Sequence, residues 1–175
     1  NIIPENIRGV HILLNAVSKC RTPVHLFLQG IISEQNKIRL NELTSNLKIS
    51  DKVSLVSPAS PDKIVESLLI YDVGLAGEIA AEDNQRLTSS NKLFEYIYAG
   101  LAVVVPDLPG LAETVLEFKV GKLYEQGNFL QLAELIDNLN MNRVLLRELK
   151  EASIIAANNE LYWEHDFDEV WKYIN

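Results

Sequence analysis

The segment from Ala99 to Pro106 constrains the fold more than any other part of the chain. An amphipathic helical pattern ends at Ala99-Gly100, and Leu101-Ala102-Val103-Val104-Val105-Pro106 follows without a polar residue. A valine-rich run of this length, bounded by glycine and proline, reads as a buried strand rather than a helix. The same alternation recurs along the chain. Helical stripes are predicted over residues 5–18, 33–47, 61–69, from 91 to the glycine, 109–116, from 128, 142–157 and 164–173. Between them, apolar runs at 24–28, 52–56, 71–76 and 121–124 read as strands. Strands separated by amphipathic helices imply an α/β fold with a parallel, doubly wound, Rossmann-like sheet.

Local signals mark several helix starts. Ser33 stands where a side-chain cap belongs, Ser60-Pro61 combines a cap with a first-turn proline, and Asn128 with Gln131 has capping-box spacing. Residues 77–86 form the least regular stretch, polar and acidic, and Glu78, Glu82 and Asp83 within it are expected to face solvent. In sheets of this kind ligands bind at the carboxyl ends of the strands. The loops at 29–30, 57–60, 77–91 and 107–110 all fall on that edge.

With 175 residues the chain is long enough for one domain with a full core, and no internal repeat or interior boundary divides it. Its net charge of -8 argues against a general affinity for nucleic acid or for an anionic membrane, both of which reward clustered Lys and Arg. A single cysteine, Cys20, rules out an internal disulfide and fits a reducing compartment. The histidines His11, His25 and His165 lack metal-ligand spacing, and neither a nucleophile elbow nor a Walker loop is present. The first residue is Asn1, and the pattern enters a helix almost at once with no strand before it. The expectation from this start is a piece of a longer protein.

The chemistry concentrates at Ser89-Ser90-Asn91-Lys92-Leu93-Phe94-Glu95-Tyr96. A helix entrance exposes unpaired backbone N–H groups and the positive end of the helix dipole, which suits a phosphate. Glu95 lies four residues past Asn91 and three past Lys92, so all three can share one face. A carboxylate there can accept two hydrogen bonds from a ribose diol while the amides and Lys92 hold phosphates. On its own, a Lys–Glu pair at this spacing is ordinarily a solvated ion pair; the convergence of edge loops is what singles it out. Pro109-Gly110-Leu111 starts a helix after a buried strand, so its amides point the same way. Arg8 opens the first helix on the same edge; a lone arginine there is ordinarily an exposed side chain, and its functional reading is a cation for a diphosphate. Together these residues read as one half of a nucleotide-sugar site.

Ser90-Asn91-Lys92-Leu93-Phe94-Glu95-Tyr96, Ala99-Gly100-Leu101-Ala102-Val103-Val104 and Asp107-Leu108-Pro109-Gly110-Leu111 with Glu113 resemble the C-terminal donor domain of bacterial family-four glycosyltransferases, which have the two-domain GT-B fold. Arg8-Gly9, Tyr71-Asp72-Val73-Gly74-Leu75 and Leu161-Tyr162-Trp163-Glu164 extend the likeness over nearly the whole chain. The resemblance implies that Glu95 binds the ribose hydroxyls of a nucleoside diphosphate. Amides near Ser89, Ser90 and Asn91 would meet the distal phosphate, with Lys92 and Arg8 as neutralising cations. Pro109, Gly110 and Leu111 would help seat the sugar or phosphate, and the base would lie over Ser57-Pro58.

It further implies a retaining, metal-independent hexosyltransferase of bacterial surface polysaccharide synthesis, cytoplasmic and membrane-associated at full length. The donor would be a UDP- or GDP-sugar, with no cofactor, no metal ligand and no nucleic acid, and with a glycan or lipid-linked acceptor held by an N-terminal domain. Residues 1–175 would be the donor domain, lacking its first strand and that acceptor domain, with a terminal helix at 163–175 facing the absent half. No catalytic residue is assigned, and the piece alone is expected to transfer nothing. Two positions depart from the family: Leu87 stands where a second glutamate commonly contacts the sugar, and Asn1 where an arginine is usual. The competing readings are a nucleotide-sugar epimerase of the same fold, and a flavodoxin-like interaction domain without catalysis.

Overall fold

A computed structural model describes residues 9–80, 86–87, 89–159 and 161. Arg8, residues 5–8 of the first predicted helix, residues 81–85 of the acidic loop and the terminal helix predicted at 164–173 lie outside the described residues. The described elements, in order, are α1 (Val10–Lys19), β1 (Leu26–Gln29), α2 (Glu34–Asn46), β2 (Val53–Val56), α3 (Ile64–Leu68), β3 (Val73–Leu75), α4 (Asn91–Tyr98), β4 (Ala102–Pro106), α5 (Pro109–Glu117), β5 (Gly121–Tyr124), α6 (Phe129–Met141) and α7 (Arg143–Asn159).

The apolar run becomes β4, with every residue buried, at the centre of a parallel sheet ordered β3-β4-β5. Period-two alternation sends its side chains to two different cores. Ala102 and Val104 pack into a cluster with α1, α6 and β1, whereas Val103 and Val105 pack with Leu93 and Ile97 of α4 and Leu111 and Val115 of α5. Helices thus cover both faces, as a doubly wound sheet requires.

α4 stops where the glycine predicted. Gly100 is left-handed at φ 67, its N–H reaches Ile97 O at 2.9 Å, and Leu101 N reaches Tyr96 O at 3.0 Å. That pair of bonds is a Schellman cap, and it turns the chain directly into β4. Ser33 caps α2 by accepting from Asn36 N at 3.2 Å. Asn128 caps α6 by accepting from Gln131 N at 3.0 Å, but Gln131 Oε1 takes the N–H of Glu125 rather than closing a reciprocal box. Ser60-Pro61 opens a single 3-10 turn, Pro61–Lys63, ahead of the short α3.

One departure concerns the sheet. The pairing is parallel throughout, but the strands fall into two groups, β1-β2 and β3-β4-β5. Among the described residues no backbone bond joins β1 to β3. Helical layers hold the two groups together: Leu26 and Leu28 of β1 share the α1–α6 cluster with Ala102 and Val104 of β4.

Candidate functional site

The carboxyl ends of both strand groups open on one cavity of about 550 Å³. Its wall at that edge carries Gly30 after β1, Pro58 and Ala59 after β2, Gly77 after β3, and Lys92 and Glu95 of α4. Three connections far apart in sequence, and the helix α4, therefore meet where the sheet architecture directs ligands. Lys92 and Glu95 share one wall, as their spacing on the helix requires.

The helix entrance is open. Ser90 is extended at φ -94, ψ 133 and makes no side-chain cap bond to the first turn, while its carbonyl takes the N–H of Leu93 at 2.9 Å. Its hydroxyl donates instead to Glu78 Oε1 at 3.3 Å. The same carboxylate oxygen pairs with the Lys92 ammonium, and Glu78 Oε2 is buried with no partner. Glu78 is only 22% exposed at its side chain, in place of the solvated position expected for it. The sequence signal available was its place just past β3, on the ligand-binding edge.

Glu95 is half-buried, and burial raises its carboxyl above the ordinary value while neighbouring Lys92 pulls it back down. Behind it, burial and then the carboxylates of Glu78 and Glu95 raise the Tyr96 phenol, whose hydroxyl donates to Leu75 O at 3.4 Å. Tyr124 likewise ties its hydroxyl to Ala76 O at 2.8 Å, fixing the exit of β3 from below. Both phenols stay neutral donors, so the loop carrying Gly77 and Glu78 rests on a rigid base.

The other site candidates are placed as follows. Ser89 and Asn91 are exposed at the entrance of α4. Pro109 and Gly110 begin α5 at the end of β4, on the same edge but outside the wall of the cavity. The Leu111 side chain is 1% exposed within the core, and its N–H is taken by Leu108 O at 2.9 Å. Among the described residues no group of His, Cys, Asp and Glu is gathered as metal ligands are. No described helix is long and apolar enough to cross a membrane.

A parallel α/β domain with a lysine and a carboxylate on one cavity at the carboxyl edge defines the class of doubly wound domains. The family is settled by comparison: the model of the glycosyl transferases group 1 matches residues 5–156, and the chain belongs to that family. No curated protein matches it. Among solved structures, the chain is similar to a glycosyltransferase from Rickettsia africae ESF-5, with 22% identity and a TM-score of 0.81 over 99% of this chain and 46% of that one. It is similar to Anabaena HepE, solved in complex with UDP, with 18% identity and a TM-score of 0.82 over 99% and 46% of the two chains. WaaG, a glycosyltransferase involved in lipopolysaccharide biosynthesis, aligns at 18% identity and a TM-score of 0.73 over 89% of this chain and 40% of its own. The chain thus spans less than half the length of these neighbours, and the fold they share is that of GT-B glycosyltransferase domains.

Proposed function

We propose that this chain is the nucleotide-sugar-binding half of a retaining glycosyltransferase that works without a metal ion, in bacterial surface polysaccharide synthesis. The observation that carries the reading is the meeting of Lys92 and Glu95 with Gly30, Pro58 and Gly77 on one cavity at the carboxyl edge. The structures of Anabaena HepE with UDP and with UDP-glucose support the ligand class. In this reading the ribose diol donates to Glu95, and the distal phosphate meets the first amides of α4 and the Lys92 ammonium. As the glycosidic bond breaks, charge grows on the leaving diphosphate. Amides and an ammonium fixed beforehand stabilise that charge without reorganising. Arg8 adds a second cation, and the turn at Pro109-Gly110-Leu111 lies on the sugar side. The base rests against the Gly30 and Ser57-Pro58 loops. The acceptor, a glycan or a lipid-linked saccharide, is held by an N-terminal domain.

Calorimetric titration with UDP, GDP and ADP tests the reading. One of the three is expected to bind weakly, and Lys92→Ala and Glu95→Ala are each expected to lower its affinity by about tenfold or more, the weight of a charge-assisted contact. If none binds at millimolar concentration and neither substitution matters, the donor reading is lost.

Glu78 yields a second expectation. Its carboxylate holds the ammonium that the phosphates need, so diphosphate and Glu78 compete for Lys92. Glu78→Gln is expected to tighten nucleoside diphosphate binding by about fivefold, the scale of one partly screened charge pair. The same titration checks it. Weaker binding would instead make Glu78 a ligand contact.

A further inference from the structure

Tyr124 is the last residue of β5, and Gln126 stands just past it. Although β4 lies between β5 and β3 in the sheet, both side chains reach the chain that leaves β3. Tyr124 donates to Ala76 O. Gln126 makes two bonds to a single residue, Ala80: the Ala80 N–H donates to Gln126 Oε1 at 3.0 Å, and Gln126 Nε2 donates to Ala80 O at 3.4 Å. One side-chain amide thus offers a donor and an acceptor to one backbone residue, as a neighbouring strand would. No other side chain makes such a two-point bond to backbone N–H and C=O of one residue among the described residues.

Ala80 lies two residues past Glu78, and the segment between is short of freedom. Ile79 packs against the cluster of α1, α6 and β1, whereas Ala80 packs against the cluster of α4 and α5. Upstream, a Cβ on Gly77 would meet Gly9 O at 2.7 Å, so the backbone there is pressed against α1. Glu78 is therefore carried by a stretch held on both sides. Its carboxylate needs that support. Glu78 Oε2 is buried without a partner, and a desolvated, unpaired carboxylate oxygen favours a position nearer water. The contacts at Oε1 are a 3.3 Å bond from Ser90 and an ion pair with Lys92, itself a third exposed. Such a partly screened pair is too weak to fix a rotamer-rich glutamate unaided.

We propose that Gln126 is a positioning residue: its clamp on Ala80 keeps Glu78 against Lys92 and so sets how much of the Lys92 ammonium is left for a diphosphate. When the clamp is cut, the segment after Gly77 relaxes, the Glu78 carboxylate moves toward solvent, and Lys92 is released to an incoming anion. Gln126 acts on the site only through Glu78. The proposal rests on the donor reading for the identity of that anion, but the clamp and its hold on Lys92 are properties of the ligand-free protein.

The test is a double-mutant cycle on Gln126→Leu and Glu78→Gln, read in two ways. The first uses no nucleotide: the rate at which acetic anhydride acetylates Lys92, followed by mass spectrometry against exposed Lys48 in the same molecule. Gln126→Leu is expected to raise that rate by about threefold, the scale of a partly screened ion pair, and to add nothing once Glu78 is replaced. The second is calorimetric affinity for UDP, GDP and ADP. Gln126→Leu is expected to tighten the nucleotide that binds by about threefold in the parent and to leave its affinity unchanged in the Glu78→Gln background. Gln126→Asn keeps the amide but is too short to reach Ala80, and should behave as Gln126→Leu does. A glutamine with a merely structural role would shift both backgrounds alike. Equal changes in the two backgrounds, or an acetylation rate that Gln126→Leu and Gln126→Asn leave unmoved, overturn the proposal. So does a diphosphate that binds the parent and binds the Gln126 variants no tighter. If no nucleoside diphosphate binds at all, the donor reading falls, and the acetylation cycle by itself decides the clamp.

Discussion

Gly9→Ala is expected to cost about 4 kcal/mol of stability, at the upper end for a single substitution. A Cβ at Gly9 would lie 1.4 Å from the carbonyl oxygen of Gly77, and its φ of 63 is left-handed. Two penalties therefore add, a left-handed backbone of about 1 kcal/mol or more and a clash with backbone that has no flexible end to swing aside. Gly127 separates them: its φ is 82 and nothing lies within 4 Å of its Cβ position, so Gly127→Ala carries the backbone penalty alone. Thermal unfolding followed by circular dichroism should show the Gly9 variant melting about 10 °C below the parent and the Gly127 variant only a few degrees below. Equal shifts for the two would mean that the seam between α1 and β3 yields easily. Because Glu78 follows Gly77, loosening the seam also displaces the carboxylate that holds Lys92.

The second large effect is expected at Asp137. Its buried carboxylate accepts from Arg21 N at 2.9 Å, Thr22 N at 2.9 Å and the Thr22 hydroxyl at 2.7 Å, tying α6 to the turn after α1. Burial raises its carboxyl, but hydrogen bonds from the Arg21 and Thr22 backbone and the Thr22 hydroxyl outweigh it and leave the group below the ordinary aspartate range. Asp137→Ala strands three donors and is expected to cost about 3 kcal/mol near neutral pH. The sign with pH follows from the lowered value. The folded state holds the charged form more tightly than the unfolded state, so this stability is present above about pH 4, the unfolded aspartate value, and disappears as pH falls through the folded one. Denaturant midpoints should therefore differ widely at pH 7 and converge below about pH 4. A gap that persists unchanged into acid would assign the loss to packing instead of charge.

The neighbouring thiol responds to the same carboxylate. Burial, then Asp137, pushes Cys20 up to about 11, so the single cysteine is a protonated core group rather than a nucleophile.

Much of the local structure was legible because it is written in periodicity and in single residues. The valine run is β4, Gly100 ends α4, Ser33 and Asn128 cap their helices, and Gly121–Tyr124 is a strand with the predicted bounds. Boundaries drifted where the pattern was weak: β1 lies at Leu26–Gln29, two residues beyond the predicted start, because Pro23 and Val24 precede the ladder. Lys92 and Glu95 were singled out by helical spacing together with the convergence of edge loops, and both line the cavity wall. Leu111 was singled out for the direction of its turn, yet its side chain serves the core, a distinction that an N–H direction does not carry.

The sequence determined the alternation of elements and, through it, the parallel sense of the sheet, because these follow from side-chain periods within a few residues. Tertiary structure alone decided the partner of Lys92, the contact of Gly9 with Gly77, the anchoring of Asp137 and the gap between β1 and β3. Each of those depends on groups brought together across long stretches of chain, where the pairing is settled by burial and backbone geometry and leaves no mark on local composition.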